Sequence, residues 1–120
     1  MREELIKSVL SDLNSGSADI EASAVISLDG LTMASLLQAG MDEDRVGAMA
    51  AAMLSLGDRT AMELSRGELD QVMIKGSRGY ILLIHAGSEA VLSVIVRDGA
   101  KLGLVFLDAN RAAQSVARLL

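Results

Sequence analysis

A chain of 120 residues with a formal charge of −5 can bury one hydrophobic core without covalent staples, and its negative balance argues against a partner built of phosphates. Tyr80 and Phe106 are its only aromatics, too few to form a platform for stacked bases. The lack of cysteine removes disulfides, thiolate nucleophiles and thiolate metal sites from consideration. Nucleic acid is therefore not an expected partner, and a cysteine-free chain fits a cytoplasmic setting.

Met1 to Leu13 carries Arg2, Glu3, Glu4 and Lys7, unlike a secretory leader. No apolar run approaches the roughly 18 residues of a spanning helix, so no membrane insertion is expected. Within Glu3 to Leu13, the residues Leu5, Ile6, Val9, Leu10 and Leu13 recur at helical spacing until Asn14-Ser15-Gly16-Ser17 breaks the pattern, which predicts a short amphipathic helix. Ala22, Ala24, Ile26 and Leu28 then alternate with Ser23, Val25 and Ser27, and a second run follows from Leu31 to Leu36. Asp29-Gly30 between the two runs predicts a β-hairpin, because both residues tolerate the positive φ of tight turns.

Met41 to Arg66 reads as one long helix, with Asp42 as its N-cap and Asp42, Glu43 and Asp44 placing negative charge at the positive end of the dipole. Val46, Ala50, Met53, Gly57, Ala61 and Leu64 form the stripe expected to cover a sheet. The opposite side carries Ala48, Ala51, Ala52, Ser55 and Met62, with Arg59 and Arg66 among them. A second face poor in charge calls for a second partner. Small residues would let another helix approach closely, and methionines adapt to surfaces of varied shape. The helix is expected to stop near Gly67, a natural occupant of the left-handed position after a C-terminus.

Three strands are predicted next, at Leu69 to Lys75, Tyr80 to His85 and Val91 to Val96, separated by Gly76-Ser77-Arg78-Gly79 and Gly87-Ser88-Glu89. The last two are almost continuously apolar, the pattern of central strands covered on both faces, whereas the mixed third strand fits an edge. Leu102 to Leu120 is expected to be the final helix. The order helix-β-β-helix-β-β-β-helix, with short turns that demand antiparallel neighbours, gives an α+β single domain over residues 1–120 with helices on both sheet faces.

Sites for chemistry are sparse. His85, the one histidine, lies near the end of a strand with no nucleophile set beside it in the sequence, and a zinc site needs more His or Cys ligands than exist here. Adjacent residues of a helix point in different directions, so Asp42-Glu43-Asp44 is explained by the helix start rather than by a metal. Neither Gly76-Ser77-Arg78-Gly79 nor Gly99-Ala100-Lys101-Leu102-Gly103 matches a phosphate loop. A protein without catalytic residues, cofactor or metal is expected, acting through binding.

Val25-Ile26-Ser27-Leu28-Asp29-Gly30-Leu31, the Ala- and Met-rich long helix, Tyr80 to Ile84 followed by Gly87, and Leu102-Gly103 together resemble the Roadblock/dynein light chain family over essentially the whole chain. The likeness is to its bacterial and archaeal branch, which includes the MglB-like regulators of small Ras-like GTPases. The resemblance implies a profilin-like five-stranded sheet in the order 2-1-5-4-3, with two protomers joined third strand to third strand and long helix to long helix. Carried onto this sequence, the dimer surface comprises Ala48, Ala51, Ala52, Ser55 and Arg59 with Val72, Met73 and Ile74. Candidate residues for binding a partner are Asp42, Glu43, Arg45, Arg59, Glu63 and Arg66. The implied function is a homodimeric regulator that binds a small Ras-like GTPase and modulates its nucleotide cycle; a dimeric scaffold without nucleotide sensing is the alternative.

Overall fold

A computed structural model describes all residues from Met1 to Leu120. The elements are α1 (Arg2–Gly16), β1 (Ile20–Ser27), β2 (Thr32–Leu36), α2 (Glu43–Glu63), β3 (Val72–Gly76), β4 (Gly79–Ala86), β5 (Ala90–Arg97) and α3 (Leu102–Leu119). The strands form one antiparallel sheet in the order β2-β1-β5-β4-β3, the α+β topology expected from the sequence and the resemblance. No helix is long and apolar enough to cross a membrane.

The two faces of the sheet are covered unequally. On one face, Ile6, Leu10 and Leu13 of α1 and Val105, Ala109, Ala113 and Val116 of α3 pack with Val25, Leu82, Ile84, Leu92, Val94 and Val96. The other face is covered by α2 alone. Ala50 and Leu54 sit over Ala24, Ile26, Leu83 and Val91 in a smaller cluster, edged by Leu37, Leu69 and Val72. One helix about 10 Å wide cannot cover the whole face of a sheet whose strands lie about 4.8 Å apart. The uncovered part becomes the candidate site.

α2 is pressed against the β1–β2 hairpin at its start. A Cβ at Gly47 would lie 2.7 Å from the Gly30 carbonyl oxygen and 2.9 Å from Thr32 Oγ1, so only glycine permits this approach. Thr32 Oγ1 also donates to the Glu43 carbonyl at 3.1 Å. The hairpin forms where Asp29-Gly30 predicts it, with a different turn. The Gly30 N–H donates to Ser27 O at 3.0 Å, the Ser27 N–H donates to Leu31 O at 2.8 Å, and Gly30, without Asp29, takes positive φ. The loop is therefore three residues long, with glycine in the single left-handed position.

α2 stops earlier than expected. Ser65 adopts φ 58°, the Ser65 N–H donates to Met62 O and the Arg66 N–H reaches back to Ala61 O at 2.7 Å. These bonds satisfy the last carbonyls before Gly67 is reached.

One charged residue ties three elements together. Asp19, 9% exposed, accepts from Arg97 Nε at 2.7 Å and from the Lys101 N–H at 2.9 Å, linking the entry to β1, the end of β5 and the start of α3. The Lys101 amide, and after it the Arg97 guanidinium, hold the Asp19 carboxyl below its ordinary value of 3.8 against the opposing effect of burial. A depressed folded value stabilises fully above the unfolded one, and that contribution disappears as pH falls through the folded value. Asp19→Asn is expected to lower stability near neutral pH and to flatten its decline between about pH 5 and about pH 3. Urea midpoints across that range check this; parallel curves for the two proteins would disprove it.

Candidate functional site

Alternation along the strands puts Val72 and Ile74 of β3, Ile81 and Leu83 of β4, and Val91, Ser93 and Ile95 of β5 on the face toward α2, as their pairings Val72↔Leu83, Ile74↔Ile81 and Ile81↔Ile95 require. Because α2 lies over β1 and β5, a groove of about 390 Å³ opens between its flank and the β3–β4 end of the sheet. Val46, Met49, Ala50, Ala52 and Met53 form one wall; Ile74, Ile81, Leu83, Ser93 and Ile95 form the floor, where Ser93 is the one polar side chain. Met49 is 60%, Ile74 37% and Ile81 38% exposed. Such a contiguous apolar surface is a candidate interaction site.

Ile81 corrects one inference from the sequence. Continuous hydrophobicity in β4 predicts cover on both faces, yet the strand is covered on both faces only farther along, at Leu83. The sequence signal is of burial, and within this single chain the burial at Ile81 is incomplete.

The helix faces are also rotated from expectation. The residues turned into the protein are Gly47, Ala50, Ala51 and Leu54, while Met53 and Leu64, expected to cover the sheet, are 37% and 66% exposed. Ala51, expected on the outer face, is 9% exposed and has little surface to offer a partner. The second apolar face therefore runs from the groove flank at Met53 round to the side turned away from Leu54, through Met49, Ala52 and Leu56. Leu54 and Gly47 explain the rotation: a long side chain fills the gap over β1 and β5, and a missing one permits contact with the hairpin. Sequence reasoning missed Met49 and Leu56 as surface anchors. The signal was the spacing of Met49, Met53 and Leu56, at i, i+4 and i+7.

Of the other expected interface residues, Ala52 lines the groove, Val72 is half-buried against α2, and Met73 and Ile74 are exposed along β3. Ala48, Ser55 and Arg59 are exposed on the flank of α2 opposite Met53. Asp42, Glu43, Arg45, Glu63 and Arg66 are all exposed. Asp42 caps the helix by accepting from the Asp44 N–H at 2.9 Å and the Arg45 N–H at 3.4 Å. Arg59 and Glu63 are 3.5 Å apart as an i,i+4 pair with exposed side chains, and Arg66 Nε donates to the Leu64 carbonyl at 3.2 Å. At helical spacing, Arg45 and Glu63 share the flank of Met49 and Leu56, so charge brackets the apolar strip at both ends.

His85 pairs with Asp58 of α2, Nε2 to Oδ1 at 2.9 Å, fastening the second half of the helix to β4. Met62, Glu68, Leu69, Gly87 and Ser88 line a cleft of about 540 Å³ beside this pair.

The Roadblock/LC7 domain model matches residues 5–96, from the first helix to the last strand. The chain belongs to the Roadblock/LC7 domain family. This Roadblock/LC7 domain is 39% identical over 112 residues to the uncharacterized protein MJ1340 of Methanocaldococcus jannaschii, covering 93% of this chain and 96% of that protein. Among solved structures, Myxococcus xanthus MglB matches with a TM-score of 0.89 at 19% identity, over 98% of this chain and 88% of its own. MglB with a tetrameric arrangement matches with a TM-score of 0.86 at 21% identity, over 98% of this chain and 89% of that one. At these identities the likeness to MglB is one of fold.

Proposed function

We propose that this Roadblock/LC7 domain is a homodimeric regulator of a small Ras-like GTPase, which it binds to bias the nucleotide state. The carrying observation is the apolar groove of about 390 Å³ between α2 and the β3–β4 end of the sheet, continuous with an unpaired β3 edge. A second copy of the chain fits both features: its β3 extends the sheet, and its Met49, Ala52, Met53 and Leu56 cover the floor of Ile74, Ile81 and Ile95. The tetrameric arrangement of an MglB of the same fold supports self-association of this architecture.

In this reading the interface takes Ala52, Val72, Met73 and Ile74 with the methionine flank of α2. Ala48, Ser55 and Arg59 remain outward with the helix start at Asp42, Glu43 and Arg45 and the polar end at Glu63 and Arg66, forming the surface for the GTPase. The protein contributes no catalytic group and acts by selecting one conformation of its partner; a binder shifts such an equilibrium only through its differential affinity for the two states.

The test is recovery of partners on immobilised protein from its own cell lysate, in parallel with a non-hydrolysable GTP analogue and with GDP, read by mass spectrometry. The expected result is one small GTPase enriched in one nucleotide state by about tenfold or more, a differential affinity of about 1.4 kcal/mol. The same partners in both states, or no GTPase at all, would replace this reading with a dimeric scaffold that senses no nucleotide.

A further inference from the structure

The sheet face turned away from α2 also has a bare strip. There α1 rests on β1 and β2, and α3 on β4 and β5, which leaves β3 without a helix over it. Alternation turns Met73 and Lys75 to this side, beside their β4 partners Leu82 and Tyr80. Met73 is 44% exposed, and Lys75 Nζ lies 5.7 Å from the centre of the Tyr80 ring. On α3, Asp108 and Ala112 line the crevice toward α1 with Val9 and Asp12, so Phe106 and Asn110 stand on the other flank, toward β3. Tyr80 and Phe106, the two aromatics of the chain, thus border the strip half-buried.

Two copies joined at β3 turn this strip into a groove. With strands about 4.8 Å apart and α3 centred between β4 and β5, the two α3 axes stand four spacings, about 19 Å, from each other. A helix laid midway lies about 9.5 Å from each, the ordinary distance between packed helices. The groove has room for one helix, over a floor of Met73, Lys75 and Tyr80 from both copies.

Charge selects the occupant. The β3–β4 hairpin and the chain from Arg97 to Leu120 carry Lys75, Arg78, Arg97, Lys101, Arg111 and Arg118 against Asp98 and Asp108, in a chain whose formal charge is −5. Of these cations only Arg97 is in an ion pair, with Asp19. A flat anionic membrane resting on the two α3 helices stops roughly a helix diameter, about 10 Å, above the floor. A protein helix reaches it.

We propose that this groove binds one acidic amphipathic helix of a partner protein, its apolar side on Met73, Tyr80 and Phe106 and its carboxylates on Lys75 and Arg78; this rests on the homodimer reading above. The lysine stem can lie along the apolar floor while its ammonium reaches the carboxylates at the rim.

The test selects binders on the immobilised protein from two display libraries of amphipathic helices with the same apolar side, one with Glu and Asp on the polar side and one with Lys and Arg. Enrichment from the acidic library alone is expected, and synthetic peptides of the selected sequences are expected to bind at one per two chains by calorimetry. Lys75→Glu is expected to weaken them about tenfold or more, because it sets like charges against each other. Asn110→Glu, on the α3 wall and clear of the β3 seam, is expected to weaken them several-fold, and it decides if Lys75→Glu disturbs the dimer. Ser8→Glu, the same change on the exposed side of α1, leaves binding as it was. Light scattering reads the oligomeric state separately. A dimer that enriches neither library, enriches the basic one, yields binders indifferent to Asn110→Glu, or sediments with phosphatidylserine vesicles in place of selecting peptides overturns the groove and leaves the homodimer standing. A monomeric protein overturns both.

Discussion

Met53→Glu is expected to convert the protein from dimer to monomer, while Ser55→Glu, two residues away, leaves it dimeric. Met53 is one wall of the apolar groove, and a second copy covering that groove would strand the new carboxylate among Ile74, Ile81 and Ile95. Burying an unpaired charge costs about 3–5 kcal/mol, which weakens association by roughly 100-fold or more. Within the single chain the cost is small, because Met53 already touches water, 37% exposed. Ser55 is exposed on the flank of α2 away from the groove, so a glutamate there meets solvent in the dimer and instead disturbs the proposed GTPase surface. Light scattering over a dilution series, with circular dichroism to check folding, separates the two. A Met53→Glu dimer of unchanged affinity would show that the groove is not where two copies meet.

Gly79→Ala is expected to destabilise the fold by about 3 kcal/mol or more, shifting the melting temperature by roughly 10 °C. Gly79 opens β4 at φ 142°, and a Cβ there would press into the Val96 carbonyl oxygen and lie 3.2 Å from the Asp98 nitrogen. These are backbone atoms of the neighbouring strand and its turn. No rotamer can relieve the contact, and the end of the β4–β5 ladder must open. Because Gly79 also closes the turn to β3, self-association should weaken with stability. Gly103→Ala is the control, since a Cβ there meets nothing within 4 Å and alanine favours a helix by about 1 kcal/mol over glycine. Thermal unfolding of both variants at one protein concentration decides; equal melting temperatures would refute the close-approach account.

Much of this architecture is legible without coordinates. Periodicity separates the three helices from the five strands because Leu5, Ile6, Val9, Leu10 and Leu13 line one side only of a helix, and the short, almost continuously apolar run from Val91 to Val96, bounded by turn residues, fits a buried strand. Asp29-Gly30 locates the first hairpin, and the short turns after β3 and β4 force antiparallel neighbours. The sheet order came from the resemblance rather than from any pattern in the residues.

The candidate site was legible as a set of surplus apolar residues and illegible as a surface. Helical spacing alone left the orientation of α2 open by a fraction of a turn, since Ala50, Gly57 and Ala61 satisfy either of two neighbouring stripes. Packing against the sheet settled it, turning Leu54 and Ala51 inward and Met49, Met53 and Leu56 outward. The Asp19 bonds to Arg97 and Lys101, and the His85–Asp58 pair, join residues too distant in the chain for spacing to connect them.

The sequence by itself determined which segments are helix and strand and their antiparallel sense, because these depend on local periodicity and turn chemistry. Only the tertiary structure decided which flank of α2 faces outward and that Ile81 lies on an open floor. Those outcomes depend on how far one helix can reach across the face of a five-stranded sheet, a matter of widths and contacts in space that no order of residues states.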